Sequence, residues 1–564
     1  MDEFIHKLIE RLPLDYRVLY RQFLLRVIDL EALSIQADVV GFLGQFAGVL
    51  FMLSLVHSLV TYVGYIIQTT PLDRLQFCLH MEHYFIATTM LVIGLITVVS
   101  WDSTFPDRRD VMVLSPLPIA PRTILFAKVS ASAAVLGLAI VTLNVASGIV
   151  LPLLLGAQPG PAWGLFQSFP AWWFSLIAAS AFLYCSVLTI QGFTALLLPR
   201  RIFLRLSAVL QLAAFALFLG VYFIQPSLTD PGAMADPQNH WILATSPSYW
   251  FFALFNQLNG SLAPQFRWLA FRAWIGLAVA VCGAACSLIL CYLHTMKRTV
   301  EDPDLVPGAG GFRWMPSFGN SLQTAIALFS IRSVTRSRQH RVAFAFYLAF
   351  VFGIALSMLR GEVAAKEPPP VSMELLVPTF LMMFFAVAGL RNVFSLPISL
   401  TANWVLRTTQ LRPSEKYVAA TRRTLLLLAV VPVWILSAAL SVSFRPFNQV
   451  VEHLVVLALL ACILVEFGLI GFYKVPFTCS YLPGKANVQL TFWAFVIVLL
   501  TVILPCLQLE LRALHDSSKF IFMLCLLGAV FWTIWTINSH RAHSAVIYFE
   551  EIPDVVITTL GLST

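Results

Sequence analysis

The sequence predicts an all-α polytopic membrane protein: about twelve transmembrane helices in two six-helix halves, led by an N-terminal amphipathic interfacial helix. Three observations carry this. Apolar blocks of about twenty residues recur along the 564-residue chain, and about 20 apolar residues are what a helix needs to cross a ~30 Å hydrocarbon core. Composition is 59% hydrophobic and 11% charged with mean hydropathy +0.83, against about 25% charged in a soluble domain. Charge is also asymmetric. With the N-terminus inside, 28 of the 36 Lys and Arg residues fall on inner segments and eight on outer ones, as the positive-inside rule requires.

Residues 1–38 precede any span. Pro13 can occupy a first helical turn. Beyond it Tyr16, Leu19, Tyr20, Phe23, Val27 and Leu30 recur at helical spacing, with Arg17, Arg21 and Arg26 on neighbouring faces. A helix of this kind lies flat in the membrane interface. The first six-helix unit, residues 39–294, reads as spans at 39–67, 84–100, 123–155, 172–198, 206–223 and 270–293. Its first span begins too late, behind too many charges, for a cleaved signal peptide. Residues 295–341 form a polar linker rich in turn signals. It ends in a second amphipathic helix, with Leu322, Ala325, Ile326 and Phe329 ahead of Arg332, Arg336, Arg338 and Arg341. The second unit, residues 342–539, has spans at 342–358, 375–394, 425–442, 454–473, 490–507 and 520–537, and a tail follows at 540–564.

The two halves share a faint internal repeat. Val113-Leu114, Pro121 and Ala127 recur at the same spacing as Val405-Leu406, Pro413 and Ala419, each set between the second and third spans of its half. Transporters are commonly built from such repeats. Both termini and the linker are expected in the cytoplasm. The net charge of +8 comes from basic residues scattered over loops. Membrane lipids are therefore expected partners and nucleic acid is not. The nine cysteines lie mostly inside spans, where they read as small apolar packing residues.

The inner loop at 101–128 reads WDSTFPDRRDVMVLSPLPIAPRTILFAK. Asp102, Asp107, Arg108, Arg109 and Asp110 place five charges in nine residues, Leu117-Pro118 follows, and Pro121-Arg122-Thr123 opens the next helix with Lys128 inside it. Proline at a helix start and a snorkelling lysine each have structural causes. Through Asp110, Leu114, Leu117, Pro118, Ile119, Ala120 and Lys128, the loop resembles that between the second and third helices of ABC-2-type permeases, the membrane subunits of ATP-binding-cassette exporters. The N-terminal helix is similar to that family's elbow helix and a six-span unit to its permease core. The outer segment 225–267 sits where the family places short membrane-dipping helices, and its aromatic run at 248–258 suits the outer interface.

The resemblance implies a coupling helix that docks on a cytoplasmic ABC ATPase. Asp107, Arg108, Arg109, Asp110, Leu117 and Pro118 would make that contact, with Arg412 and Lys416 in the second half. It implies a bacterial inner-membrane exporter that is not itself an enzyme and binds no cofactor directly, ATP and Mg²⁺ being held by the partner. Usual members carry one unit and dimerise, whereas this chain holds two, so a homodimer stays open. In the second half Leu396-Pro397-Ile398-Ser399 stands well before Arg412 and Lys416, and coupling there stays open too. The substrate is not readable, although lipidic or amphipathic cargo suits an apolar path.

The competing class is a twelve-helix secondary transporter, which needs broken helices or paired ionisable groups in its spans. Glu466, inside an apolar run of the tenth span, is a candidate for the translocation path, with pairing to another helix as the alternative. His57, Asn144 and Gln191 are softer cases. His80, Glu82 and His83 near the outer end of span two read as interfacial packing rather than metal ligands, and Cys282 and Cys286 as helix packing. Asp302-Pro303-Asp304 spells an isolated DxD. The glycine-containing stretches at 307–311 and 482–485 lack the spacing of a phosphate-binding loop. An intramembrane lipid-modifying enzyme would need a one-sided cluster of acids or histidines, and none is evident.

Overall fold

Backbone groups in hydrocarbon must find their partners within the chain, which leaves helices or closed barrels. This chain takes the first solution. The computed structural model describes residues 13–28, 39–100, 114, 116–156, 164–198, 200–225, 228–301, 321–363, 370–398, 403, 414–442, 444–473, 475–478 and 503–544. Among them ten helices are long and apolar enough to cross a membrane, and the one β pairing is an isolated bridge between Pro370 and Arg445. The protein is an all-α, multi-pass membrane protein. Its packing forms two compact units, with described residues 13–28 and 39–301 in the first and those from 321 onward in the second.

The first unit opens with α1 (Leu14–Ile28). Its apolar stripe does more than face an interface. Leu19 and Phe23 are buried against Ile124, Ala127 and Ala131 at the start of a helix at Pro121–Asn144. The Tyr16 and Ser130 hydroxyls meet at 2.7 Å, and Lys128 Nζ lies 5.1 Å from the Phe23 ring centre. Burial, with Tyr16 close by, raises the Tyr20 phenol above its ordinary pKa.

Next come α2 (Val39–Ile67) and α3 (Pro71–Val99). The latter starts well before the expected 84, because Thr70 Oγ1 accepts from Asp73 N at 3.1 Å and Pro71 fits a first turn. The block expected as one span at 123–155 is two helices, α4 (Pro121–Asn144) and α5 (Ser147–Gly156). Side chains replace the helical ladder at the break. Asn144 Nδ2 donates to Ile140 O at 3.0 Å, Ser147 Oγ to Asn144 O at 3.2 Å, and Ala146 N to Ser54 Oγ of α2 at 3.2 Å.

After α6 (Gly164–Leu197) and α7 (Arg200–Ile224), three short helices follow: α8 (Pro231–Ala235), α9 (His240–Thr245) and α10 (Pro247–Leu258). The unit closes with α11 (Arg267–Glu301), which runs beside α6. Their backbones approach closely. A Cβ on Gly283 would sit 2.8 Å from Thr189, and one on Gly276 3.3 Å from Phe182 and Trp250. Thr189 Oγ1 donates to Ala280 O at 3.3 Å and Ser287 Oγ to Leu188 O at 3.4 Å. Small residues and hydroxyl bonds are how helices associate where lipid removes the hydrophobic drive. Cys282 and Cys286, expected as packing residues, instead lie exposed on the outward side of α11.

The second unit begins with α12 (Ser321–Arg336), α13 (Arg338–Val363) and α14 (Met373–Val393). Ile326 of α12 packs on Tyr417 and Ala420, whereas Ala325 and Phe329 from the same expected stripe are exposed. The ninth span is composite: α15 (Ser414–Leu425), a π-helical turn at Leu426–Val430, then α16 (Val431–Ser441). The π turn directly precedes Pro432, which has no N–H to continue the ladder, and a wider turn is one way to pass such a gap. α17 (Phe447–Leu469), α18 (Leu504–Ala513) and α19 (Ser517–Ser544) complete the unit. Of the eleventh expected span, residues 490–502 lie outside the described residues. Asp516 opens α19. The Ser518 hydroxyl (2.6 Å) and Lys519 (3.1 Å) hold its carboxyl well below the usual range, to about 2.

Candidate functional site

The residues expected to couple to a partner are partly visible. Asp107, Arg108, Arg109, Asp110 and Arg412 lie outside the described residues, as do the motifs at 302–304, 307–311 and 482–485. Leu117 and Pro118 are exposed on the turn before α4, where Leu117 N donates to Leu114 O at 3.2 Å. Leu114 and Ile119 on either side pack into the cluster that joins α1 to α4. The turn is thus pinned by its flanks and presents Leu117-Pro118 outward. Lys416 is exposed on the first turn of α15.

Glu466 does not face outward. It is 1% exposed on α17 and is bound from two other helices. Arg422 of α15 donates through Nε to Oε1 and through Nη2 to Oε2 at 3.1 Å. Asn538 of α19 donates to Oε2 at 3.1 Å and to the Glu466 backbone oxygen at 2.8 Å. A fork-on-carboxylate pair joined by an amide ties three helices, with Glu466 one turn before the end of α17.

A second polar group lies inside the first unit. α10, whose aromatic run is expected in the outer interface, is packed among other helices of this unit. Tyr249, Phe251, Phe252 and Phe255 are at most 3% exposed and join Phe85, Trp172 and Leu269 in one core. The reason is enclosure by α3, α6 and α11. Glu82 of α3 is buried and accepts from Asn256 Nδ2 of α10 at 2.9 Å. The His83 ring stacks on Tyr249 at 4.1 Å, and its Nε2 lies 3.1 Å from Ser248 Oγ. His80 is on the exposed side of the same helix, so the three do not converge. His57 pairs with the Tyr84 hydroxyl at 3.1 Å, Asn144 accepts from Thr89 Oγ1 at 3.0 Å, and Gln191 is buried.

The third polar group was not visible from sequence. His453 of α17 lies with Nδ1 2.8 Å from Glu510 Oε1 of α18 and Nε2 2.9 Å from Thr379 Oγ1 of α14. The connectivity is that of a hydroxyl–imidazole–carboxylate triad. All three are at most 2% exposed, and the group braces α18 against α14 and α17. The available signal was His453 at the start of an apolar run, but Glu510 read as an outer-loop residue. Among the described residues, no group of three or more His, Cys, Asp or Glu gathers to hold a metal. No family model, curated protein or solved structure matches this chain.

Proposed function

We propose that the chain is the permease subunit of an ABC-2-type ATP-binding-cassette exporter. In this reading twelve spans form two fused six-helix halves in a bacterial inner membrane, with both termini cytoplasmic. Separate cytoplasmic ATPase subunits, which hold ATP and Mg²⁺, drive a lipidic or amphipathic substrate across. The observation that carries the reading is the junction of α1 with α4. Leu19 and Phe23 lock the amphipathic helix onto the base of the third span, and the Leu114–Ile119 turn is part of the same cluster. A push on the exposed Leu117-Pro118 would therefore reach a span and its interfacial helix together. Each unit also holds a short helix through a buried carboxylate, Glu82 for α10 and Glu510 for α18, which supports a duplicated plan.

The test is a pull-down with the ABC ATPase that co-purifies with the chain. Reversing Arg108 and Arg109 to Glu should weaken the complex roughly tenfold, since loop charges set docking rate and register. Membrane insertion should be unaffected, because charges on a loop outside the bilayer add little to folding. Unchanged binding would remove this loop from the contact.

A second reading, a twelve-helix secondary transporter, gains support from the paired ionisable groups inside the second unit, His453–Glu510 and Arg422–Glu466, which that class requires. Absence of any ATPase partner would favour it.

A further inference from the structure

In the second unit, α12 and the turn at 394–398 border an open cleft of about 680 Å³, lined by Leu328, Phe329, Arg332, Ser333, Ser337 and Ile398 among others. Its wall is built by bonds that do not depend on an occupant. His340 is fully buried, its Nε2 donating to Leu396 O at 2.9 Å and its Nδ1 lying 2.6 Å from Ser337 Oγ. Ile398 N donates to Phe477 O at 3.2 Å and Phe477 N to Phe394 O at 2.8 Å. The Phe477 ring in turn meets Phe329 edge-on at 6.0 Å.

The lining is graded along α12. Leu328 and Phe329 form an apolar stretch opposite Ile398, and Phe329 and Ile398 remain 45% and 48% exposed. One turn on come an exposed guanidinium, Arg332, and the Ser333 hydroxyl, with Ser337 just past the end of the helix. The basic run Arg336, Arg338 and Arg341 continues into the membrane-crossing α13. An apolar slot that ends in a cation at the mouth of a span complements an amphiphile with a negative head, and juxtamembrane basic residues attract anionic lipid.

We infer that this cleft binds one anionic glycerophospholipid of the cytoplasmic leaflet, its phosphate at Arg332 and an acyl chain along Phe329 and Ile398. The volume suits a headgroup with part of a chain. The inference rests on the membrane orientation proposed above and not on the ATPase, so an ATPase pull-down that fails leaves it standing.

Native mass spectrometry of the full chain tests it, with phosphatidylglycerol and phosphatidylcholine of matched acyl chains. One phosphatidylglycerol should be retained under conditions that strip phosphatidylcholine. Arg332→Ala should lower apparent phosphatidylglycerol affinity roughly fivefold, as expected for one basic residue at an anionic surface, while Arg332→Lys keeps most of it. Equal retention of the two lipids, or undiminished binding by Arg332→Ala, would overturn the inference. In membranes, p-benzoylphenylalanine at position 398 should crosslink to phospholipid. Crosslinking to protein alone, whether a partner or residues 302–320 of this chain, would also overturn it.

Discussion

Glu466 shows what one residue can and cannot announce. A lone acid in an apolar run demands a partner, since an unpaired carboxylate in hydrocarbon costs several kcal/mol, and that much was legible. The partner was not. Arg422 reads as an inner-loop charge 44 residues away, and only the continuation of α15 into a span brings it to α17. Because Arg422 is 21% exposed, solvent recovers part of any lost pairing. Glu466→Gln should therefore destabilise the protein by about 2 kcal/mol, below the 3–5 kcal/mol typical of breaking a fully buried pair. Thermal unfolding in detergent reads this directly. Adding Arg422→Gln should cost less than the sum of the two single changes, because both remove the same interaction.

Among the elements, the apolar blocks located the helices and missed their internal structure. Hydropathy reports length and composition. It does not show that Asn144, Ser147 and Ser54 take over backbone partners and split one block in two, or that a π turn sits ahead of Pro432. Aromatic content could not reveal the enclosure of α10 for a related reason: Tyr and Trp favour interfaces and cores alike, and only the neighbouring helices decide. The α6–α11 seam carries the clearest expectation here. Gly283→Leu would drive a side chain into Thr189, already 2.8 Å from where a Cβ would begin, at a cost of about 1–3 kcal/mol from overpacking. Val279→Leu, on a 66% exposed position of the same helix, should leave the melting temperature unchanged. Equal effects of the two would mean that the seam is not tightly packed.

For the whole molecule, the distribution of charge makes the sharpest statement. Under the positive-inside rule, a bias of 28 to eight basic residues argues for the proposed topology, in which the linker around residue 310 and both termini are cytoplasmic. A protease site inserted after Gly310 should be cut in inverted vesicles and protected in intact cells, and cleavage from outside would reverse the proposed topology. Class and membrane character were legible because apolar length is a local property. The buried brace of Thr379, His453 and Glu510 was not, because it joins residues 74 and 57 positions apart, and spacing along a chain does not reveal which helices become neighbours.

The enclosure of α10 also bears on how the protein is made. At 12 residues it is too short to cross the bilayer by itself, so it cannot be placed as an independent span. Two of its walls, α3 and α6, precede it on the ribosome, and the third, α11, follows it. Until residues beyond 267 emerge, Phe251 and Phe255 have an open side and no stable seat. The first unit therefore seals at this end only after its last long helix arrives. A nascent chain stalled before that point would offer this aromatic segment to chaperones and proteases.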